Sequence, residues 1–150
     1  MLTAVSTQHG YVQGMNVLLA PFLYAMSEVD SYYCFRSLIK HRIPRYILKN
    51  LDGVHEGDEV FARCLQALDP ALYEHVMKKI PKTSIFSLPY ILTLFANSKP
   101  LSEVLKLWDG LFSFGIHYNI LYLCGHLIKL RARIMVEKKA ARYNMISLIL

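Results

Sequence analysis

A chain of 150 residues has room for one domain, or for most of a larger one, and can bury a sizeable core. With 54% hydrophobic residues against 19% charged, its composition excludes a disordered tail. The formal net charge of +6 would suit nucleic acid, an acidic membrane or an acidic protein partner, but it is too scattered along the chain to choose among them.

In chain order, Met1-Leu2-Thr3-Ala4 lacks a basic segment followed by an apolar one, so no secretory signal is predicted. The polar, glycine-flanked stretch Gly10-Tyr11-Val12-Gln13-Gly14-Met15-Asn16 stands directly before an apolar run from Val17 to Met26 that Pro21 interrupts. Asp30-Ser31 is expected to precede a helix through Leu38 and Ile39 that must end before Pro44. Loops are predicted at Asp52-Gly53 and Glu56-Gly57, which makes Glu56, Asp58 and Glu59 a solvated turn with N-capping acids. Val60, Phe61, Cys64, Leu65 and Leu68 then follow the spacing of a core-facing helical stripe.

Asp69-Pro70 reads as an N-cap with proline at the first helical position, and loops follow at Pro81-Lys82-Thr83 and from Asn97 to Pro100. Between these loops lies the apolar run Ile85 to Leu94, broken by Pro89; each of the two interior prolines should open a new helix or kink an existing one. Leu101, Val104, Leu105, Trp108, Leu111 and Phe112 repeat the helical stripe, with Gly115 where a left-handed residue would end it. Lys78-Lys79 and the stretch from Lys129 to Arg142 read as solvated helix faces, and the apolar Met145 to Leu150 has no obvious partner. The sum is an all-α chain of about seven helices, with no internal repeat, low-complexity segment or second domain.

The mean hydropathy of +0.28 fits either a membrane protein or a helical piece that has lost a packing partner. Run length decides against the first. Both clean apolar stretches fall short of the roughly 20 residues that a spanning helix needs, and Ile116 to Met135 contains Lys129, Arg131 and Arg133. Cys34, Cys64 and Cys124 are odd in number, widely spaced and set among apolar neighbours, which predicts buried thiols in a reducing compartment such as the cytoplasm.

A self-contained catalytic site is hard to assemble, because no phosphate-binding glycine loop and no nucleophile turn occurs. Cys124-x-His126 is the one close Cys/His pair, and without a second pair no metal site is predicted. The informative stretch is the one around Gln13. Its glycines permit tight turns or close backbone approach, and Tyr11 offers an aromatic surface with a polar tip. A glutamine at such a junction either orients water or polar groups on a partner or is buried to satisfy loop backbone.

Gly10-Tyr11-Val12-Gln13-Gly14-Met15-Asn16 resembles the glutamine-finger motif, Tyr-x-Gln, of TBC domains, which activate Rab-like GTPases. Leu92-Thr93-Leu94-Phe95 resembles that family's later Leu-Thr-Leu-Phe element, and Pro100-Leu101 to Trp108-Asp109-Gly110-Leu111-Phe112, ending at Gly115, resembles its Trp-Asp helix. The three occur in the family's order, and the resemblance covers about residues 8 to 136. It implies that residues 1–150 form a TBC domain lacking its amino-terminal part. Asn16 to Tyr24, Leu51 to His55 and Leu105 to Asp109 are similar to the cell-cycle members, which act in mitotic-exit and septation checkpoints as half of a two-component activator.

The resemblance implies a mechanism in trans: an arginine neutralises charge developing on the γ-phosphate while Gln13 positions the attacking water. Tyr11 would brace the loop, Gly10 and Gly14 would let it approach the nucleotide, and Asn16 would support it. Trp108 and Asp109 would be structural landmarks. The chain itself would need no cofactor or metal, since GTP and magnesium would sit on the partner, a small Rab-like GTPase. A second checkpoint subunit, a cytoplasmic place and the spindle pole are further implications, and no nucleic acid or transmembrane segment is expected.

One departure matters. The family's arginine stands in an Ile-x-x-Asp-x-x-Arg motif upstream of Tyr-x-Gln, and the nine residues before Gly10 do not hold it. None of Arg36, Arg42, Arg45, Arg63, Arg131, Arg133 or Arg142 stands in that context. Two expectations therefore stay open: part of an activator, or a non-catalytic module or scaffold that binds a GTPase.

Overall fold

The computed structural model describes residues 11–48 and 50–136, and among these there are helices and no strand. The apolar run after the glycine stretch forms α1, Met15–Ala25. Pro21 lies inside it and Pro89 inside a later helix, so neither proline opens a new one. Helix α2, Glu28–Ser37, is capped by Ser27, whose side chain accepts from the Asp30 N–H at 3.2 Å. The expected start at Asp30-Ser31 is thus displaced: Ser27 satisfies an orphan amide of the first turn, and Asp30 lies within that turn. A π-helical turn, Leu38–Arg42, and a 3₁₀ turn, Pro44–Ile47, follow on either side of Ile43, as the proline requires.

Helix α3 spans Asp52–Leu68, and here the sequence reading fails. Gly53 and Gly57 are helical residues used for close packing: a Cβ on Gly57 would lie 3.0 Å from Ile91 Cγ2, and one on Gly53 would lie 2.8 Å from Arg45 Cβ. Glu56, Asp58 and Glu59 are accordingly helical, not loop acids. Glu56 pairs with Arg45 at 2.5 Å, Glu59 faces Arg63, and Asp58 accepts from the Ser87 hydroxyl. The buried stripe of α3 is Val54, Phe61 and Leu65; Val60 and Leu68, expected inside, are exposed.

Helix α4, Pro70–Lys79, begins as Asp69-Pro70 predicts, with the Asp69 carboxylate accepting from the Leu72 N–H at 3.0 Å. Then come α5, Ser84–Thr93, α6, Leu101–Phe114, α7, Tyr118–Lys129, and α8, Arg131–Val136. Eight α-helices are thus present among the described residues, where about seven are expected. Gly115 ends α6 with φ +135 and ψ 140, outside the left-handed helical well expected of it.

Two adjoining clusters form the core. One gathers α3, α4, α5, α7 and α8 around Phe61, Leu65, Phe86, Ile91 and Leu123; the other gathers α1, α2 and α6 around Leu18, Phe22, Phe35 and Trp108. Tyr46 and Leu107 pack against both. Each large apolar side chain fully buried in this way contributes roughly 1.5–3 kcal/mol, and ordering entropy opposes the sum.

The three cysteines do not share the buried fate expected of them. Cys34 is exposed, Cys64 half-buried and Cys124 buried, all as free thiols. The reason is their place on each helix: apolar neighbours in sequence lie on other faces. Burial, with Cys64 nearby, pushes the Cys124 thiol up to about 12. Residues 137 to 150, including Arg142 and Met145 to Leu150, lie outside the described residues, as does Gly10.

Candidate functional site

The loop before α1 holds its shape through three contacts. The Tyr11 hydroxyl donates to Asn16 Oδ1 at 3.1 Å. The Val12 N–H points at Met15 Sδ at 3.3 Å, and the Met15 N–H donates to the Val12 carbonyl at 3.2 Å. Met15 is buried in the second cluster, so the loop is anchored to the core by its last residue. Gly14 sits at the N-cap position with φ +97, a left-handed conformation that glycine adopts without the Cβ penalty. No side chain caps the helix there.

Gly14 also joins two of the sequence landmarks. A Cβ at this position would lie 3.0 Å from Leu92 Cδ2, so the loop rests directly on the end of α5. That end is in turn tied to the third landmark: the Trp108 indole N–H donates to the Leu94 carbonyl at 2.7 Å in the buried interior. Leu94 and Phe95 both have positive φ, which turns the chain out of α5 and aims that carbonyl at the indole. Asp109, beside the buried Trp108, is exposed on α6.

The Gln13 side chain is exposed, and its amide has no hydrogen-bond partner among the described residues. Asn16 is also exposed, one turn along, and Tyr11 is 57% accessible. Beside them runs a groove of about 670 Å³, floored by Leu51, Val54, Leu88 and Leu92 and edged by Ser84, Thr93 and Asn97. The Thr93 hydroxyl donates to the Pro89 carbonyl at 2.6 Å, and its oxygen lies 3.0 Å from the Asn97 side-chain amide.

Among the described residues no charged side chain lines the groove, and Tyr11 is the only titratable one that does. Its described lining therefore offers no carboxylate, imidazole or thiol. Among the described residues no cluster of His, Cys, Asp or Glu is arranged to hold a metal, and Cys124 and His126 go separate ways, His126 against the Tyr90 ring. The described arginines are elsewhere: Arg45 pairs with Glu56, Arg63 with Glu59 and Arg131 with Asp69, and Arg36, Arg42 and Arg133 do not line the groove. What the site can do is present an amide, and an apolar floor, to another surface.

The groove residues Ser84, Leu88 and Asn97 were not among those singled out from sequence. They lie roughly 70 to 85 positions from Gln13, and no local pattern announces the approach.

A family model for the Rab-GTPase-TBC domain matches residues 2–135, and the chain belongs to that family. It is 45% identical over 126 residues to Cell division control protein 16 of Schizosaccharomyces pombe, covering 83% of this chain and 42% of that protein. It is 42% identical over 125 residues to Mitotic check point protein BUB2 of Saccharomyces cerevisiae, covering 83% and 41%. The chain thus spans about two-fifths of the length of these relatives. Its fold matches the crystal structure of the Ypt/Rab-GAP domain of Gyp1p with a TM-score of 0.81 at 18% identity, over 98% of this chain and 55% of that one. Among the described residues no helix is long and apolar enough to cross a membrane.

Proposed function

We propose that this chain takes part in GTP hydrolysis on a small Rab-like GTPase, presenting Gln13 in trans to orient the attacking water. The observation that carries the reading is the exposed Gln13 amide, held by a left-handed glycine at the lip of a groove whose described lining carries no charge. Tyr11, Gly14 and Asn16 brace the loop, Gly10 is proposed to allow close approach to the nucleotide, and GTP with its magnesium belongs to the partner. Similarity to a cell division control protein and to a mitotic check point protein supports a role in cell-cycle checkpoint control, which this reading places at mitotic exit or septation. A cytoplasmic place, association with the spindle pole and a second checkpoint subunit are part of the same reading.

No described arginine borders the groove, and in this reading the arginine is supplied by another lobe or chain. An arginine finger is worth about 10³ to 10⁵ in rate, on the order of 4 to 7 kcal/mol of barrier. The test joins a lobe bearing the Ile-x-x-Asp-x-x-Arg motif to this chain and follows single-turnover GTP hydrolysis. Hydrolysis should rise well above the intrinsic rate, and Gln13→Ala should remove most of the gain, about 10² to 10³ if it resembles other positioned donors. Unchanged activation in Gln13→Ala would remove that residue from the site.

The absence of an arginine at the groove, among the described residues, favours a second reading: a scaffold that holds a GTPase without completing the chemistry. Binding of GTP-loaded GTPase with no change in hydrolysis rate, even with the arginine lobe supplied, would select it.

A further inference from the structure

Helix α7 is apolar on two faces. Ile120, Leu123, Cys124 and Leu127 enter the first core cluster. On the opposite side Tyr118, Leu121 and Tyr122 are 39%, 48% and 51% exposed, and one turn on, a Cβ at Gly125 would meet nothing within 4 Å. A surface helix ordinarily carries polar residues opposite its buried stripe. These residues instead wall a groove of about 710 Å³, closed on the other side by Val104 and Leu107 of α6 and by the turn Ser98-Lys99-Pro100. None of its lining residues belongs to the groove beside Gln13.

Charge narrows what could fill it. Lys99 and Lys129 line the groove, and neither has an ion-pair partner among the described residues. Glu103 is the only acid among the described lining residues, and Lys106 holds it at 2.8 Å. From Tyr118 to Lys129 the helix runs roughly 16 Å, about three turns. A concave apolar trough of that length suits a convex peptide helix, whereas a flat bilayer would meet an apolar bulge. A second copy of this chain would bring more positive charge, since the chain carries a net +6.

We propose that this groove docks an acidic amphipathic helix of a partner protein, its apolar side chains over Tyr118, Leu121 and Tyr122 and its carboxylates at Lys99 and Lys129. Apolar contact supplies the area, and the two lysines select the sign of the partner. The docking does not depend on the role proposed for Gln13.

The test is fluorescence anisotropy with the full chain and two labelled helical peptides of about 12 residues, three turns. Both carry leucines at i, i+4 and i+7; one has glutamates on the flanks and the other lysines. The glutamate peptide should bind, more weakly as salt rises, and the lysine peptide should not. The double substitution K99E/K129E should weaken the glutamate peptide about tenfold and admit the lysine peptide. Leu121→Asp should weaken the glutamate peptide, while Gln13→Ala should leave its binding unchanged. Circular dichroism checks the fold, and if the double reversal melts early, Lys99→Gln with Lys129→Gln gives the same reading with half the charge change. Equal binding of the two peptides, binding of neither, or indifference to the lysine substitutions would overturn the proposal. So would a sedimentation result in which the chain self-associates and Leu121→Asp dissociates it, because the groove would then be covered by a second copy.

Discussion

The two grooves share a wall and differ in kind. The segment from Pro89 to Ser98 contributes Pro89, Leu92, Thr93 and Asn97 to the groove beside Gln13, and Tyr90, Phe95 and Ser98 to the groove along α7. The first has no charge among its described lining residues and is bordered by an exposed loop that a left-handed glycine fixes. The second is lined by the face of a regular helix and rimmed by lysines. A loop can aim one polar group at a chosen point, which is what positioning a water requires. A helix face offers area and charge, which is what adhesion requires. One chain segment serves both because successive residues of a helix point around its axis, so that Tyr90 reaches one groove while Pro89, Leu92 and Thr93 face the other.

The largest perturbation should come from the shared wall. Trp108→Ala removes a buried indole and leaves the Leu94 carbonyl without its donor, and should cost about 3–5 kcal/mol. Urea unfolding would measure it, and both grooves should lose their ligands together. If peptide docking at α7 survives in folded Trp108→Ala protein while the Gln13 loop fails, the wall is not shared in the way described.

A smaller substitution should separate the grooves. Gly14→Ala puts a Cβ into a left-handed conformation and 3.0 Å from Leu92, and should cost about 1–3 kcal/mol. GTP hydrolysis in the arginine-supplied protein should fall, while anisotropy of the glutamate peptide stays as it was. Loss of both would mean that strain at Gly14 spreads across α5.

The smallest effect is a control remote from both. The Leu72 N–H first, and Arg131 second, hold the Asp69 carboxyl below the usual carboxylate range. Its folded-state value is depressed, so its contribution to stability is complete above the unfolded value of about 4 and is lost as pH falls through the folded value. Asp69→Ala should cost about 1 kcal/mol at neutral pH. In urea titrations the difference from the parent chain should shrink towards zero in acid, with both grooves unaffected at neutral pH. A difference that persists in acid would assign the effect to packing instead of the charged cap.

Local signals were legible where local physics governs. Asp69-Pro70 opens α4 because a carboxylate cap and a residue without an N–H satisfy a helix start wherever it occurs. The loops at Pro81-Lys82-Thr83 and before Leu101 likewise fall where expected. Glycine misled at Gly53 and Gly57, since its flexibility in sequence and its thinness in packing look alike until the neighbouring helix is known. Val60, Leu68 and Cys34 lie outside the core because spacing gives the width of a stripe only approximately, and the neighbouring helices decide which edge is covered.

By itself, then, the amino-acid order determined a helical chain, its main starts and stops, and a glycine-framed Tyr-x-Gln stretch before the first apolar helix, since caps, turns and periodicity act over a few residues. Only the tertiary structure decided that Gly14 rests on Leu92, that the Trp108 indole fastens the far side of that same segment, and that Gln13 is exposed beside a trough floored by Leu51, Val54, Leu88 and Leu92. Those relations join residues some 15 to 80 positions apart, and they follow from how helix faces fit together, which no run of neighbouring residues encodes.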